Sequence, residues 1–568
     1  MNKNIFALAV AALMVSTSFT SCIEEYEPSH GYVSGGQVSE SPTAYESLLS
    51  GLTSTLTGSF IYSGNGDDGK DADDFGYPAM MIKHDMMGQD MVPRDCSDNE
   101  WFGTYYSASV ALGPQYAACQ MPWTYYYSWI KNCNNFIKSF GTGEVTEDHY
   151  NGVGIAYALR AMIYLDLART YGAETYAKNK QAETVPMVTE SNEDQMANNP
   201  RMTNEQAFTF ILSDLDQAEK YLANYQRTDK TTPDLSVVYG LKARAYLTME
   251  DWPNAEKYAK LAMQNYSVMS ASQYTDYETG FNTPNDAWML CIQYKSTDDN
   301  IKLNDADSSW GSKMITESGI LNADGTPNEG NCGYAATYGY PLFIDRHLYE
   351  TIPATDCRKK CFVDFSADEA ETDEELFSIL STNTENPAAL AMNKPKFGGL
   401  EVKFRSTGGS QGRADKYIGF CVAVPLMRVE EMKLIEAEAV GMQSGREQEG
   451  INLLTTFAKQ RDTNYVYGKH NEAYGNTATS AFQNEVWWQR RVEFWGEGLS
   501  MYDIKRLDKG IIRSYADTNH VNNYQWNTTS APNWMNWCIT NGETNYNNTC
   551  TNNPTPSAPS GNSQEHVW

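Results

Sequence analysis

The sequence is short of positive charge. It sets 43 Lys and Arg against 72 Asp and Glu, for a formal net charge of −29. A surface this acidic repels phosphate backbones, so nucleic acid is excluded as a partner. Long apolar runs are missing everywhere except the N-terminus, and the mean hydropathy is −0.54, which excludes a multispanning helical membrane protein. Cysteine is sparse, at 11 in 568 residues, so this is not a disulfide-dense scaffold. No CxxC pair and no CxxC…HxxxH spacing occurs, which argues against a zinc module. Cys357 and Cys361 stand close enough to pair or to be free helix neighbours. Seven scattered His form no HExxH, so a metalloprotease is unsupported. Aromatic residues, by contrast, are plentiful. Thirteen Trp, 37 Tyr and 20 Phe are far too many for a disordered chain.

Residues 1–21 read as an export signal, with Lys3 followed by the apolar run Ile5 to Val15 and a small polar end. The run is too short to span a bilayer. Cys22 follows in Phe19-Thr20-Ser21-Cys22, which resembles a bacterial lipobox and implies cleavage before Cys22 and acylation of its thiol. Each buried acyl methylene contributes about 0.8 kcal/mol, so several chains on one residue anchor firmly. Residues 22–45, opening with Ile23-Glu24-Glu25, read as a lipidated polar tether.

The rest, residues 46–568, reads as one domain that is mainly α-helical. Ile155, Leu159, Ile163 and Leu167 fall four apart on one helical stripe. Thr203 and Gln206 form a capping box at the start of the next helix. A turn at Thr232-Pro233-Asp234 starts another helix, and a break at Asp251-Trp252-Pro253 starts a fourth. Ala faces bulky residues along these segments, and the spacing looks like tetratricopeptide helix pairs. An irregular insert occupies about 270–415, with β-like pieces such as Trp288 to Tyr294. Helices resume within about 425–510: Pro425 to Val440, Glu447 to Arg461 and Gln483 to Phe494.

Four blocks carry a family resemblance in the right order. They are Tyr127 to Gly172, Asp214 to Trp252, Arg428 to Ala439, and Arg490-Arg491-Val-Glu493-Phe-Trp-Gly-Glu497-Gly498 through Asp503 to Arg506. Together with the lipobox they resemble the SusD/RagB family of surface nutrient-binding lipoproteins, over most of the mature chain. The fourth block departs at Ser500, where the family commonly has Arg. The resemblance implies an α–α superhelical scaffold, a place on the outer membrane at the cell surface, and a SusC-like TonB-dependent channel as partner. It implies capture of oligo- or polysaccharide, with peptide capture of the RagB kind as the alternative. It implies no catalysis and no cofactor.

Within the fourth block, Arg490, Glu493 and Glu497 sit three and four apart, and Asp503 and Arg506 three apart. These read as structural ion pairs rather than a catalytic carboxylate pair. A glycoside hydrolase would need two carboxylates about 5–10 Å apart, and none stands in an apolar setting that would raise one pKa. Gly64 to Lys70 fits the P-loop letters, but Asp71 stands where Ser or Thr should hold magnesium. Residues 67–74 and Asn322 to Glu329 offer oxygen ligands for a structural calcium without full EF-hand spacing.

A flat aromatic ring suits the C–H face of a sugar, with polar neighbours for its hydroxyls. Tyr125 to Trp129 read as core. Trp101 follows a polar loop containing Arg94 and Asp98, and those three are expected ligand contacts. Trp310 and Tyr338, in the irregular insert, are expected to join them.

Overall fold

The computed structural model describes residues 41–57, 73–96, 100–276, 278–302, 309–315, 342–363 and 399–568. The chain divides into two units, Met1–Leu48 and Leu49–Trp568. Helix α1 (Pro42–Thr57) begins inside the expected tether. The Ser41 hydroxyl accepts the Ala44 N–H, and a proline in the first turn sacrifices no helical hydrogen bond. Among the described residues, no helix is long and apolar enough to cross a membrane.

The second unit is mainly helical. After α2 (Tyr77–Met86) and strand β1 (Met91–Pro93) come α3 (Ala117–Phe140) and α4 (Tyr150–Tyr171). Strands β2 (Glu183–Pro186) and β3 (Arg201–Thr203) then lead into α5 (Asn204–Tyr221), α6 (Leu235–Met249) and α7 (Trp252–Ala262). Consecutive helices from α3 to α7 pack pairwise. The caps follow the sequence signals. Thr203 and Gln206 close a reciprocal capping box, Asp234 accepts the Val237 N–H, and Asp251 accepts that of Asn254. Ile155, Leu159, Ile163 and Leu167 are all buried. Gly154 lets α4 approach α5, because a Cβ there would lie 2.5 Å from Leu222 Cγ. Between the two helices, Arg160 reaches Asp214 through Nε at 2.7 Å and Nη2 at 2.8 Å, and Asn134 on α3 at 2.8 Å.

The irregular insert contributes β4 (Trp288–Gln293), helix α8 (Trp310–Met314), β5 (Leu342–Ile344), β6 (Phe362–Val363) and β7 (Leu400–Glu401). Strand β8 (Ala423–Arg428) follows, then α9 (Val429–Gly441), α10 (Glu447–Ala458), α11 (Ala481–Glu493) and α12 (Ser500–Arg506). The expected helix from Pro425 is therefore strand over its first four residues. Pro425 pairs with Cys291 in the antiparallel β4–β8 ribbon, so the helix begins only at Val429. A proline fits this two-stranded ribbon, where one side of each strand is unpaired. A four-stranded sheet runs in the order β1-β5-β7-β6. Cys357 and Cys361 are free thiols.

Candidate functional site

The fourth block forms a buried knot of charge. Glu493, fully buried at the end of α11, accepts Arg461 Nε at 2.9 Å, Arg428 Nη1 at 3.1 Å and Arg358 Nη1 at 3.4 Å. Glu497 accepts Arg428 Nη2 at 2.8 Å and Lys403 Nζ at 2.7 Å. Three guanidinium groups hold the Glu493 carboxylate well below its ordinary pKa despite burial. The expected ladder of Arg490 onto Glu493 and Glu497 is not what forms. Arg490 turns to Asp503 at 2.6 Å, and Asp503 also accepts Arg506 at 3.1 Å, as its three-residue spacing allows. Burial decides this outcome, since each charge finds partners on neighbouring elements rather than along its own helix face. No carboxylate here is left free to attack or protonate a sugar.

The chain between the two expected pairs turns on glycine. Gly498 has φ +76°, and a Cβ there would lie 2.7 Å from Met81 Cα. Its N–H and that of Ser500 donate to the buried Asp85 carboxylate at 2.9 and 3.1 Å. Burial pushes the Asp85 carboxyl up to about 7.

A second buried cluster has the look of chemistry. His520 lies 2.8 Å from the Tyr106 hydroxyl through Nδ1 and 3.3 Å from Asp345 Oδ1 through Nε2. All three side chains are sealed, however, and desolvation lowers His520 and raises the Tyr106 phenol. Substrate has no route to them, so the cluster ties the loop around residue 520 to β5 and to the short helix Glu100–Tyr106. Sequence reading missed this arrangement, because its members are 106, 345 and 520 along the chain.

The expected ligand residues divide. Strand β1 pairs antiparallel with β5, with Pro93 opposite Leu342. Arg94 directly follows β1. Arg94 is half-buried. Asp98 and Tyr338 lie outside the described residues. Trp101 is in the helix Glu100–Tyr106. Trp310 must be corrected. It is 1% exposed and meets Phe404 edge-on at 5.0 Å, so its ring is core and offers no face to a sugar. Tyr125, Tyr126 and Trp129 are core as expected.

Among the described residues, no group of three His, Cys, Asp or Glu stands ready to hold a metal. Both expected calcium segments fall outside the described residues, apart from Asp73 and Asp74 at the end of the first. Asp73 pairs with the buried Lys83 at 2.6 Å.

Residues 82–247 match the family model described as SusD-like, "Starch-binding associating with outer membrane". A SusD-like carbohydrate-binding protein from Bacteroides vulgatus superposes with TM-score 0.67 at 21% identity, over 89% of this chain and 97% of that one. The stretch 82–247 of the chain is SusD-like. A SusD superfamily protein from Bacteroides fragilis gives TM-score 0.60 at 22% identity, over 90% and 99% of the two chains. Surface glycan-binding protein A from Bacteroides thetaiotaomicron, in complex with laminarihexaose, gives 0.59 at 17%, over 90% and 99%. No curated protein matches the sequence. The helix pairs thus belong to a fold that this chain shares with all three.

Proposed function

We propose that this SusD-like chain is a glycan-binding lipoprotein and not an enzyme. It is anchored to the outer membrane through acylated Cys22 and faces the cell exterior. It captures oligo- or polysaccharide and passes it to a SusC-like TonB-dependent channel, which supplies the transport energy. The observation that carries this reading is the family match over residues 82–247, in a chain that shares its fold with a glycan-binding protein seen holding laminarihexaose. Its proposed contacts are Arg94, Asp98, Trp101 and Tyr338, of which Arg94 directly follows β1. Trp101 stacks on a ring while Arg94 and Asp98 bond its hydroxyls.

The test is calorimetric titration of purified protein against a panel of polysaccharides and mixed peptides. Saturable binding of a polysaccharide, weakened by at least about 1 kcal/mol in Trp101→Ala, is expected. Binding of peptides alone overturns the glycan reading in favour of peptide capture. Release of reducing ends from any bound glycan overturns the non-enzyme reading.

A further inference from the structure

The coil after α12 returns to the helix that carries Trp101. That helix ends at Tyr106, whose hydroxyl accepts the Val521 N–H at 3.2 Å and lies 2.8 Å from His520 Nδ1. The loop from His520 to Trp526 is therefore pinned to the Trp101 helix, although 414 residues separate Tyr106 from His520. From this loop the Tyr524 ring meets Tyr106 edge-on at 6.2 Å and Trp526 edge-on at 5.6 Å. Its phenol is raised above the ordinary value, first by burial, then by Cys96, to whose thiol it bonds, and by the neighbouring Asp95 carboxylate. Cys96 lies in turn against the same helix, since a Cβ at Gly103 would stand 1.7 Å from the Cys96 carbonyl oxygen. Tyr524 thus touches the stretch that follows Arg94 and the helix that carries Trp101.

Two features separate Tyr524 from a packing residue. The rings it touches are sealed, Tyr106 at 0% and Trp526 at 1% exposure, whereas Tyr524 is only half-buried and Asp95, Asn522 and Asn523 beside it in the chain are exposed. The turn that presents it is also held rigid. Tyr524 N–H donates to Val521 O at 3.1 Å, and Asn523 holds left-handed backbone at φ 73°, which Asn tolerates. From the tail, Asn562 Oδ1 accepts the N–H of Asn523 at 2.8 Å and of Gln525 at 3.4 Å, while its Nδ2 donates to Asn522 Oδ1 at 2.8 Å. Gln525 Nε2 donates to the His520 carbonyl at 2.9 Å. A surface turn fixed by this many bonds has already lost the freedom that binding would otherwise cost it.

A half-open phenol ring offers a flat face to the C–H side of a sugar, and the Asp95 carboxylate and the Asn522 amide bring acceptors and donors for its hydroxyls. We infer that Tyr524 is a further sugar-binding residue, stacking on a ring of the same glycan that Arg94, Asp98 and Trp101 contact. The choice of a sugar as ligand rests on the glycan reading above. The position of Tyr524 does not, because it comes from the loop and its partners.

The experiment titrates the parent, Tyr524→Phe and Tyr524→Leu by calorimetry with hexasaccharides prepared from starch, laminarin, xylan, mannan and pectin, and records thermal unfolding of all three proteins. Phe keeps the ring and loses only the bond to Cys96, whereas Leu keeps apolar bulk and loses the ring. Affinity is expected to fall about fivefold or more in Tyr524→Leu and to stay within about twofold in Tyr524→Phe, at an unchanged thermal midpoint. On the unmutated protein, nitration of Tyr524 by tetranitromethane, mapped by mass spectrometry, is expected to slow when the hexasaccharide is bound. Equal affinity in Tyr524→Leu and the parent, an equal loss in the Leu and Phe variants, or nitration that the bound glycan leaves unchanged overturns the inference and leaves the proposed function standing. A parent that binds none of the glycans brings down the glycan reading, and this residue's role with it.

Discussion

Two clusters of buried charge lie within a dozen residues of each other in the fourth block, and they are built on opposite plans. Around Glu493 each guanidinium meets a carboxylate, and each carboxylate meets more than one cation. Around Lys505 and Arg506 the accounts stay open: one guanidinium nitrogen is unpaired, one ammonium has only carbonyls, and a pocket stands alongside. A closed cluster locks elements together and gains nothing from a ligand. An open one keeps polar groups buried without a full set of partners and bears part of the cost of burying them. The difference makes the first a lock between elements and leaves the second a place where burial is only partly offset.

The hardest blow to that contrast falls on the closed cluster. Glu493→Gln keeps the shape and removes the charge that Arg358, Arg428 and Arg461 share. We expect a loss of about 3–5 kcal/mol in denaturant unfolding, because three buried cations are left short of their counter-charge. A loss under about 1 kcal/mol would mean that the knot is not what holds α11 to β8.

Asp85 sharpens the comparison from between the two clusters. Its folded pKa of about 7 lies above the 3.8 of an ordinary aspartate, so the folded state binds the extra proton between those values. The stabilisation is complete below about pH 4 and is lost as pH rises towards 7. The fall should be on the order of 4 kcal/mol, and Asp85→Asn should flatten it. An unchanged pH profile in the variant would assign the slope elsewhere.

Lys505 gives the opposite sign. Burial pushes its ammonium down to about 7 from 10.5, so the unfolded chain binds the proton more tightly between those values. Stability should therefore rise from pH 7 towards 10. The surrounding carbonyls offset part of the burial cost, so the rise is smaller, on the order of 2 kcal/mol, and should vanish in Lys505→Met.

Much of the scaffold was legible because its signals are local. The Thr203–Gln206 box, the Asp234 and Asp251 caps and the apolar stripe of α4 depend only on neighbours three and four residues away. The partners of Glu493 were not legible, since Arg428 and Arg358 lie 65 and 135 residues distant. Spacing suggested a ladder from Arg490 instead, which an exposed helix would form and a buried one replaces with tertiary pairs. Trp310 misled for a related reason. Polar neighbours in sequence suggested an exposed ring, but α8 tucks it onto Phe404. The polar pocket gave no sequence signal, because its walls come from after α4, after α6 and after α12.

The smallest expected effect is the most discriminating. Lys178 and Glu174 stand at the rim of the open pocket, Lys178 fully in solvent and Glu174 half-covered. A fold that used them for stability would suffer from Lys178→Ala or Glu174→Gln, as it would from changes in the knot. Exposed single charges contribute little, so unfolding free energy should stay within about 0.5 kcal/mol of the parent in both variants. The rim of the open cluster would then carry none of the stability that the knot carries. If both variants instead lose more than about 1 kcal/mol of stability, the two clusters differ only in degree, and the pocket is a flaw in the same scaffold.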